Sequence, residues 1–112
     1  FNRGDHFRDF TYIDDAINLI NIIIKKQKTT LKRKFSIFNS GKGQCVKVKD
    51  LVKIISKKIK KIPKIKKVKH QKGDVLFTNS SSKKIKKVLN YNPKVSLNEG
   101  IDKFINWYFS IN

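Results

Sequence analysis

Arg8-Asp9-Phe10-Thr11-Tyr12-Ile13-Asp14-Asp15 is the stretch on which the reading of this chain turns. With Phe7 ahead of it, its aromatic residues predict a short strand over residues 6–12. From Ile13 the pattern changes. Ile13, Ala16, Ile17, Ile20, Ile23 and Ile24 recur at the spacing of one helix face. Asp14 and Asp15 fall in the first turn, where the helix dipole favours anions, and Lys25, Lys26 and Lys28 fall at the far end, where it favours cations. A strand feeding directly into a helix is the opening of an α/β arrangement. Arg8, set among aromatics, is there either a surface charge or a clamp for an anion.

Working outward, residues 27–34 read as a polar connector and residues 34–38 as a strand carrying Phe35, Ile37 and Phe38. Asn39-Ser40-Gly41-Lys42-Gly43 is a turn. A second amphipathic helix is predicted over residues 47–60, with Val48, Leu51, Val52, Ile55 and Ile59 as its stripe and Pro63 as its stop. Residues 65–70 read as an extended strand and Lys72-Gly73-Asp74 as a turn. Ser80-Ser81-Ser82 offers a cap for a short helix bearing Ile85, Val88 and Leu89. After Asn92-Pro93, Ser96 and Glu99 have the spacing of a capping box, a device that contributes about 1 kcal/mol. The helix it opens carries Ile101, Phe104, Ile105, Tyr108 and Phe109. The order β-α-β-α-β-α-α makes residues 1–112 one α/β domain with few strands, or one piece of a larger domain.

The formal charge is +19, from 27 Lys and Arg against 8 Asp and Glu. Charge of that size raises the reading of a stand-alone basic module for nucleic acid. Two features weaken it. Only Arg3, Arg8 and Arg33 are arginine, the residue suited to forked contacts. The richness in Lys, Ile, Asn and Phe, with a single alanine, is the bias of A+T-rich coding. The apolar run 16–24 is interrupted by Asn18 and Asn21 and falls short of the ~20 residues of a membrane span. One cysteine, Cys45, closes no intramolecular disulfide, so a cytoplasmic setting is the expectation. The start at Phe1, without Met, leads us to expect a piece of a longer protein.

Chemical motifs are sparse. Gly41-Lys42-Gly43 sits where a phosphate-cradling glycine loop would sit, but Val46 stands where a dinucleotide fingerprint needs its third glycine. That turn reads as a plain link from strand to helix. No Tyr-x-x-x-Lys occurs, because Tyr12, Tyr91 and Tyr108 are followed four residues on by Ala16, Val95 and Asn112. His6, Cys45 and His70 are too scattered to argue a metal site or a Cys–His nucleophile. Trp107 and Tyr108 read as packing residues. No catalytic residue and no metal ligand is expected. What remains is Arg8, Asn39 at a strand end and Asp74 in a turn, each a candidate ligand contact.

Taken together, five segments resemble the extended short-chain dehydrogenase/reductases, nearest to UDP-glucuronate 4-epimerases and related nucleotide-sugar epimerases and dehydratases. Residues 8–15 resemble their Arg-Asp-Phe-x-Tyr-x-x-Asp. Phe38-Asn39-Ser40-Gly41 resembles Tyr-Asn-x-Gly. Gln71-Lys72-Gly73-Asp74-Val75 resembles Gln-Pro-Gly-Asp-Val. Leu89-Asn90-Tyr91-Asn92-Pro93 resembles Leu-Gly-Tyr-x-Pro, and Glu99-Gly100 with Trp107-Tyr108 resembles the closing Glu-Gly and Trp-Tyr. Departures are Lys72 for proline, Ser81 for a capping aspartate and Asn90 for glycine.

The resemblance implies the small mixed α/β substrate-binding subdomain of such an enzyme, without its Rossmann part. It implies that Arg8 contacts the diphosphate of a UDP-sugar, that Asn39 contacts the substrate, and that Gln71 and Asp74 hold the uridine side while Gly73 lets the backbone approach. It also implies NAD bound by an upstream Rossmann domain that holds the catalytic groups, a homodimer of the full-length protein, and a place in polysaccharide biosynthesis.

Overall fold

The computed structural model describes residues 2–27 and 35–111. A 3-10 turn, Asn2–Gly4, leads into β1 (Phe7–Asp9) and α1 (Ile13–Lys26). Then follow β2 (Cys45–Lys47), α2 (Val48–Ile59), α3 (Lys83–Leu89) and α4 (Leu97–Ile111). β1 and β2 pair antiparallel, with Arg8 opposite Val46. The other edge of β1 is also occupied: Phe7 N–H donates to Leu76 O at 2.9 Å and Thr78 N–H donates to Phe7 O at 3.2 Å. The segment beside it makes a parallel bridge from Phe77 to Phe7. β1 is thus the middle of three extended segments, and the chain around it is a mixed α/β fold.

Two predicted strands are absent. Residues 35–38 form no strand, and Phe35 and Ile37 stand 77% and 66% exposed, with no neighbouring edge among the described residues to pair with. Residues 65–70 form none either, because the edge of β1 they might have taken is held by residues 76–78. β2 was hidden from sequence reading, since three residues are too few to show a period. The connector predicted over 27–34 lies, apart from Gln27, outside the described residues. α2 ends before Pro63. Lys60 turns left-handed at φ 53°, and the N–H groups of Lys60 and Lys61 both donate to Ser56 O. Asn90 closes α3 in the same left-handed way, a conformation asparagine tolerates.

The core is small. Leu19, Ile85, Leu89 and Tyr91 are buried together, with Ile22, Ile23, Phe38 and Val88 packed around them. Here α1 departs from expectation. The stripe Ile13, Ile17, Ile20 and Ile24 is 50–64% exposed, and the face turned inward carries Asp15 and Leu19 instead. The helix has two apolar faces roughly 140° apart, and α3 with Tyr91 covers only one of them. On α4, Phe104, Trp107, Tyr108 and Phe109 are likewise about half exposed, so Trp107 and Tyr108 are not core residues of this chain. The capping box is half formed: Glu99 N–H donates to Ser96 Oγ, while the Glu99 carboxylate pairs with Lys103. Ser82, ahead of α3, spends its hydroxyl on Gly41 O rather than on a cap.

Two buried or half-buried aspartates tie distant segments. Asp15 accepts from Lys94 N–H and Val95 N–H, and its own carbonyl accepts from Tyr91 Oη. Asp9 accepts from Gly43 N–H and Ser80 N–H, which fastens the 41–44 turn and the start of the 80–82 segment to β1. Removing either carboxylate strands backbone donors, each at a cost of ~1–3 kcal/mol. Denaturant unfolding of Asp15→Ala in the full natural chain is expected to show a loss of ~2–4 kcal/mol. Asp9→Ala is expected to strip hydrogen-exchange protection from the Gly43 and Ser80 amides while leaving those of α4 unchanged.

Burial raises the Tyr91 phenol above the ordinary phenol range; a Ser40 hydrogen bond opposes this, and the Asp15 charge adds to the rise. The unfolded chain therefore gives up this proton at lower pH than the folded one, and stability falls as pH climbs above about 10. Tyr91→Phe, compared with wild type by denaturant unfolding between pH 9 and 11.5, is expected to be less stable at neutral pH and to lose stability less steeply on the alkaline side.

Candidate functional site

Along an extended strand, side chains two apart share a face. Around β1 that rule sorts the polar residues into two sets. His6 and Arg8 face one side, and Asp9 faces the other, where it binds Gly43 and Ser80. The His6–Arg8 face is met by the turn that precedes residues 76–78. Arg8 Nη2 donates to Asp74 Oδ1 at 2.8 Å, and Arg8 Nη1 donates to Phe7 O at 2.8 Å. His6 Nδ1 lies 3.0 Å from Asp74 Oδ2. Both carboxylate oxygens are therefore engaged. The Arg8 and Asp74 side chains remain 26% and 29% exposed, so the pair is open to a ligand from one side, whereas His6 beneath it is buried.

The turn itself is built for this placement. Asp74 N–H donates to Gln71 O at 3.1 Å, closing the Gln71–Asp74 turn. Gly73 supplies φ +87°, a conformation that a residue with a Cβ rarely adopts. His70 adds an Nε2 contact to Asp74 O at 3.0 Å, and its ring meets that of His6 edge-on at 5.4 Å. Of the sequence-derived candidates, Arg8, Gln71, Gly73 and Asp74 thus come together in one patch. Asn39 is exposed and stands in the neighbouring segment that runs into Gly41, which packs on Asp9 and Ser80 rather than on Asp74. His6 is the member of the patch that sequence reading missed as a site residue. Its signal was its i, i+2 relation to Arg8.

The Gly41–Gly43 turn does not cradle a phosphate. A Cβ on Gly41 would stand 2.5 Å from Asp9 Oδ2 and 2.5 Å from Ser80 Cβ. The Gly43 N–H that would face an anion already donates to Asp9. A carboxylate of the chain itself thus fills the space, and the turn leads into β2 rather than directly into a helix. The residues present do not fit a dinucleotide there.

Cys45 is half-buried with its thiol directed at Thr78 O, and burial, helped by the Asp9 charge, pushes the thiol up, away from nucleophilic character. Among the described residues no three His, Cys, Asp or Glu side chains stand together as metal ligands. Asp5, held below the usual carboxylate range by its hydrogen bond from Lys49, lines a cavity of about 510 Å³ with Arg3, Lys53 and Lys67. No helix among the described residues is long and apolar enough to cross a membrane.

The family model for GDP-mannose 4,6 dehydratase matches residues 1–104. An uncharacterised protein of Methanocaldococcus jannaschii is 39% identical over 96% of this chain and 32% of its own length. UDP-glucuronate 4-epimerase 4 of Arabidopsis thaliana is 35% identical over 97% of this chain and 27% of its own. Among solved structures, the UDP-glucuronic acid 4-epimerase of Bacillus cereus, in complex with UDP-glucuronic acid and NAD, superposes with a TM-score of 0.81 at 26% identity. It covers 100% of this chain and 35% of that one. The chain spans about a third of the length of such relatives. On a match across nearly its whole length, with a mixed α/β fold like the C-terminal part of these enzymes and no full Rossmann fold among the described residues, the chain belongs to the GDP-mannose 4,6 dehydratase family of extended short-chain dehydrogenase/reductases.

Proposed function

We propose that this chain is the substrate-binding portion of an NAD-dependent nucleotide-sugar epimerase or dehydratase, and that it holds a UDP-sugar, UDP-glucuronate or a close analogue, through the patch around Arg8 and Asp74. The carrying observation is that pair. A guanidinium and a carboxylate 2.8 Å apart, each about a quarter exposed, place a cation suited to diphosphate oxygens beside an acceptor suited to ribose hydroxyls. Gln71 contributes an amide and Gly73 an open backbone in the same turn. Asn39 reaches the sugar side from its own segment. The arrangement binds and orients.

Oxidation and reduction belong to NAD and to groups held elsewhere in the full protein, since the glycine turn of this chain is filled by Asp9. The exposed stripe Ile13, Ile17, Ile20 and Ile24, spaced 4, 3 and 4 along α1, is the face against which that dinucleotide-binding part packs. A flat body measuring 51 × 37 × 19 Å, too thin to enclose a large core, suits a layer laid on such a partner. We place the full protein in the cytoplasm, as a homodimer making sugar nucleotides for polysaccharide assembly.

Titration calorimetry of the full natural chain with UDP tests the reading. Arg8→Ala is expected to weaken UDP binding by ~2–4 kcal/mol, the loss of a charge-assisted and partly buried contact. UDP affinity unchanged by Arg8→Ala overturns the clamp. Binding that falls equally for UDP and for arbitrary duplex DNA as salt rises would favour the alternative of a basic nucleic-acid-binding module.

A further inference from the structure

We infer that His6 is a positioning residue for the nucleotide's ribose: it fixes the Asp74 carboxylate so that one oxygen stays free to accept a sugar hydroxyl. The inference rests on the UDP site proposed above and goes beyond it. His6 is 4% exposed, its Nδ1 is 3.0 Å from Asp74 Oδ2, and its Nε2 is buried with no hydrogen-bond partner among the described residues. A neutral ring with the proton on Nδ1 satisfies this geometry, donating to the carboxylate and leaving a bare acceptor at Nε2. The unmade bond at Nε2 costs free energy that an apolar side chain of like volume in the same space would avoid. What offsets the cost is the bond to Asp74.

That bond becomes decisive when ligand arrives. In the free protein Asp74 is held at both oxygens, Oδ1 by Arg8 and Oδ2 by His6. A diphosphate competes with Asp74 for the Arg8 guanidinium. As Arg8 turns to the phosphate, Oδ1 loses its cation and becomes the acceptor for a ribose hydroxyl, while His6 keeps Oδ2 in place. The His70 contact at Asp74 O and the Gln71–Asp74 turn hold the backbone but leave the carboxylate free to rotate. His6 is the side chain that stops that rotation.

The test compares UDP with 2′,3′-dideoxy-UDP by calorimetry on the full natural chain at one pH. Wild type is expected to prefer UDP by about tenfold or more, the range of a hydrogen bond to a charged group. His6→Leu should bring the two affinities within about threefold of each other by weakening UDP alone. In His6→Asn the amide nitrogen occupies the place of Nδ1, so the preference should survive. His6→Gln, whose amide sits at the place of Nε2, should lose it. His6→Gln also serves if the leucine variant does not fold. A His6→Leu or His6→Gln protein that keeps the wild-type preference while Asp74→Ala abolishes it overturns the role of His6 and leaves the UDP site standing. If neither Arg8→Ala nor Asp74→Ala changes UDP binding, the site reading falls and this inference falls with it. Equal loss for both nucleotides would make His6 a merely structural residue and also overturns the inference.

Discussion

Everything in this chain hangs on the alternation of side chains through residues 6–9. Because successive residues of a strand point to opposite faces, one three-residue strand serves two unlike tasks at once. Toward one face it sends Asp9, whose carboxylate gathers the N–H groups of Gly43 and Ser80 and so joins segments more than thirty residues apart. Toward the other it sends Arg8, which with His6, just ahead of the strand, meets Asp74. A slip of one residue would exchange the faces. Three backbone connections hold the register: pairing with β2 on one edge, and on the other the two hydrogen bonds that Phe7 shares with Leu76 and Thr78. The rigidity of the candidate site is therefore inherited from the strand beneath it, and its acidic partner is delivered by the segment that completes the sheet.

The helices were legible because their signals are local. α1, α2 and α4 begin and end within a few residues of where spacing and caps put them. What a face does is not local. The Ile13, Ile17, Ile20 and Ile24 stripe has the periodicity of a core face, yet the chain buries Asp15 and Leu19 in its place. Periodicity reports that a face is apolar and says nothing of what covers it. The buried Asp15 shows the same limit from the polar side. As a second acidic residue in a first turn it reads as a partner for the helix dipole, while its actual work is to receive two N–H groups from residues 94 and 95, nearly eighty positions away. The strands misjudged at 35–38 and 65–70 fail for a related reason, since an extended segment becomes a strand only when an edge is free to receive it.

The site divides along the same line. Spacing alone gave Arg8, Asn39 and Asp74 as separate polar residues at element ends. That Arg8 and Asp74 touch follows from a sheet bridge which no sequence period announces. Their grouping was readable only through the likeness of five ordered segments to one enzyme family, and the structure brings four of the five residues so named into one patch. His6 lay outside that likeness. The role inferred for it comes from geometry: a histidine buried under an ion pair, with one nitrogen satisfied and the other without a partner among the described residues.

The large positive charge finds its place beside this pair rather than in it. Arg8 and Asp74 neutralise each other, so the patch offers little net charge of its own to an approaching anion. Most of the acidic residues elsewhere are also spoken for, Asp5 by Lys49, Asp50 by Lys53, Asp102 by Lys58 and Glu99 by Lys103. The remaining lysines create a field that is screened within about 8 Å at physiological salt. Such a field draws anions in general toward the surface without choosing where they bind. On the proposed reading, choice is left to an exchange at Arg8, where an incoming phosphate must be a better partner than a carboxylate already in place at 2.8 Å. A lone exposed arginine would take any anion. On the same reading, one already paired with Asp74 gives way only to a ligand that also satisfies the carboxylate it leaves behind, as a nucleotide carrying ribose hydroxyls next to its phosphates would.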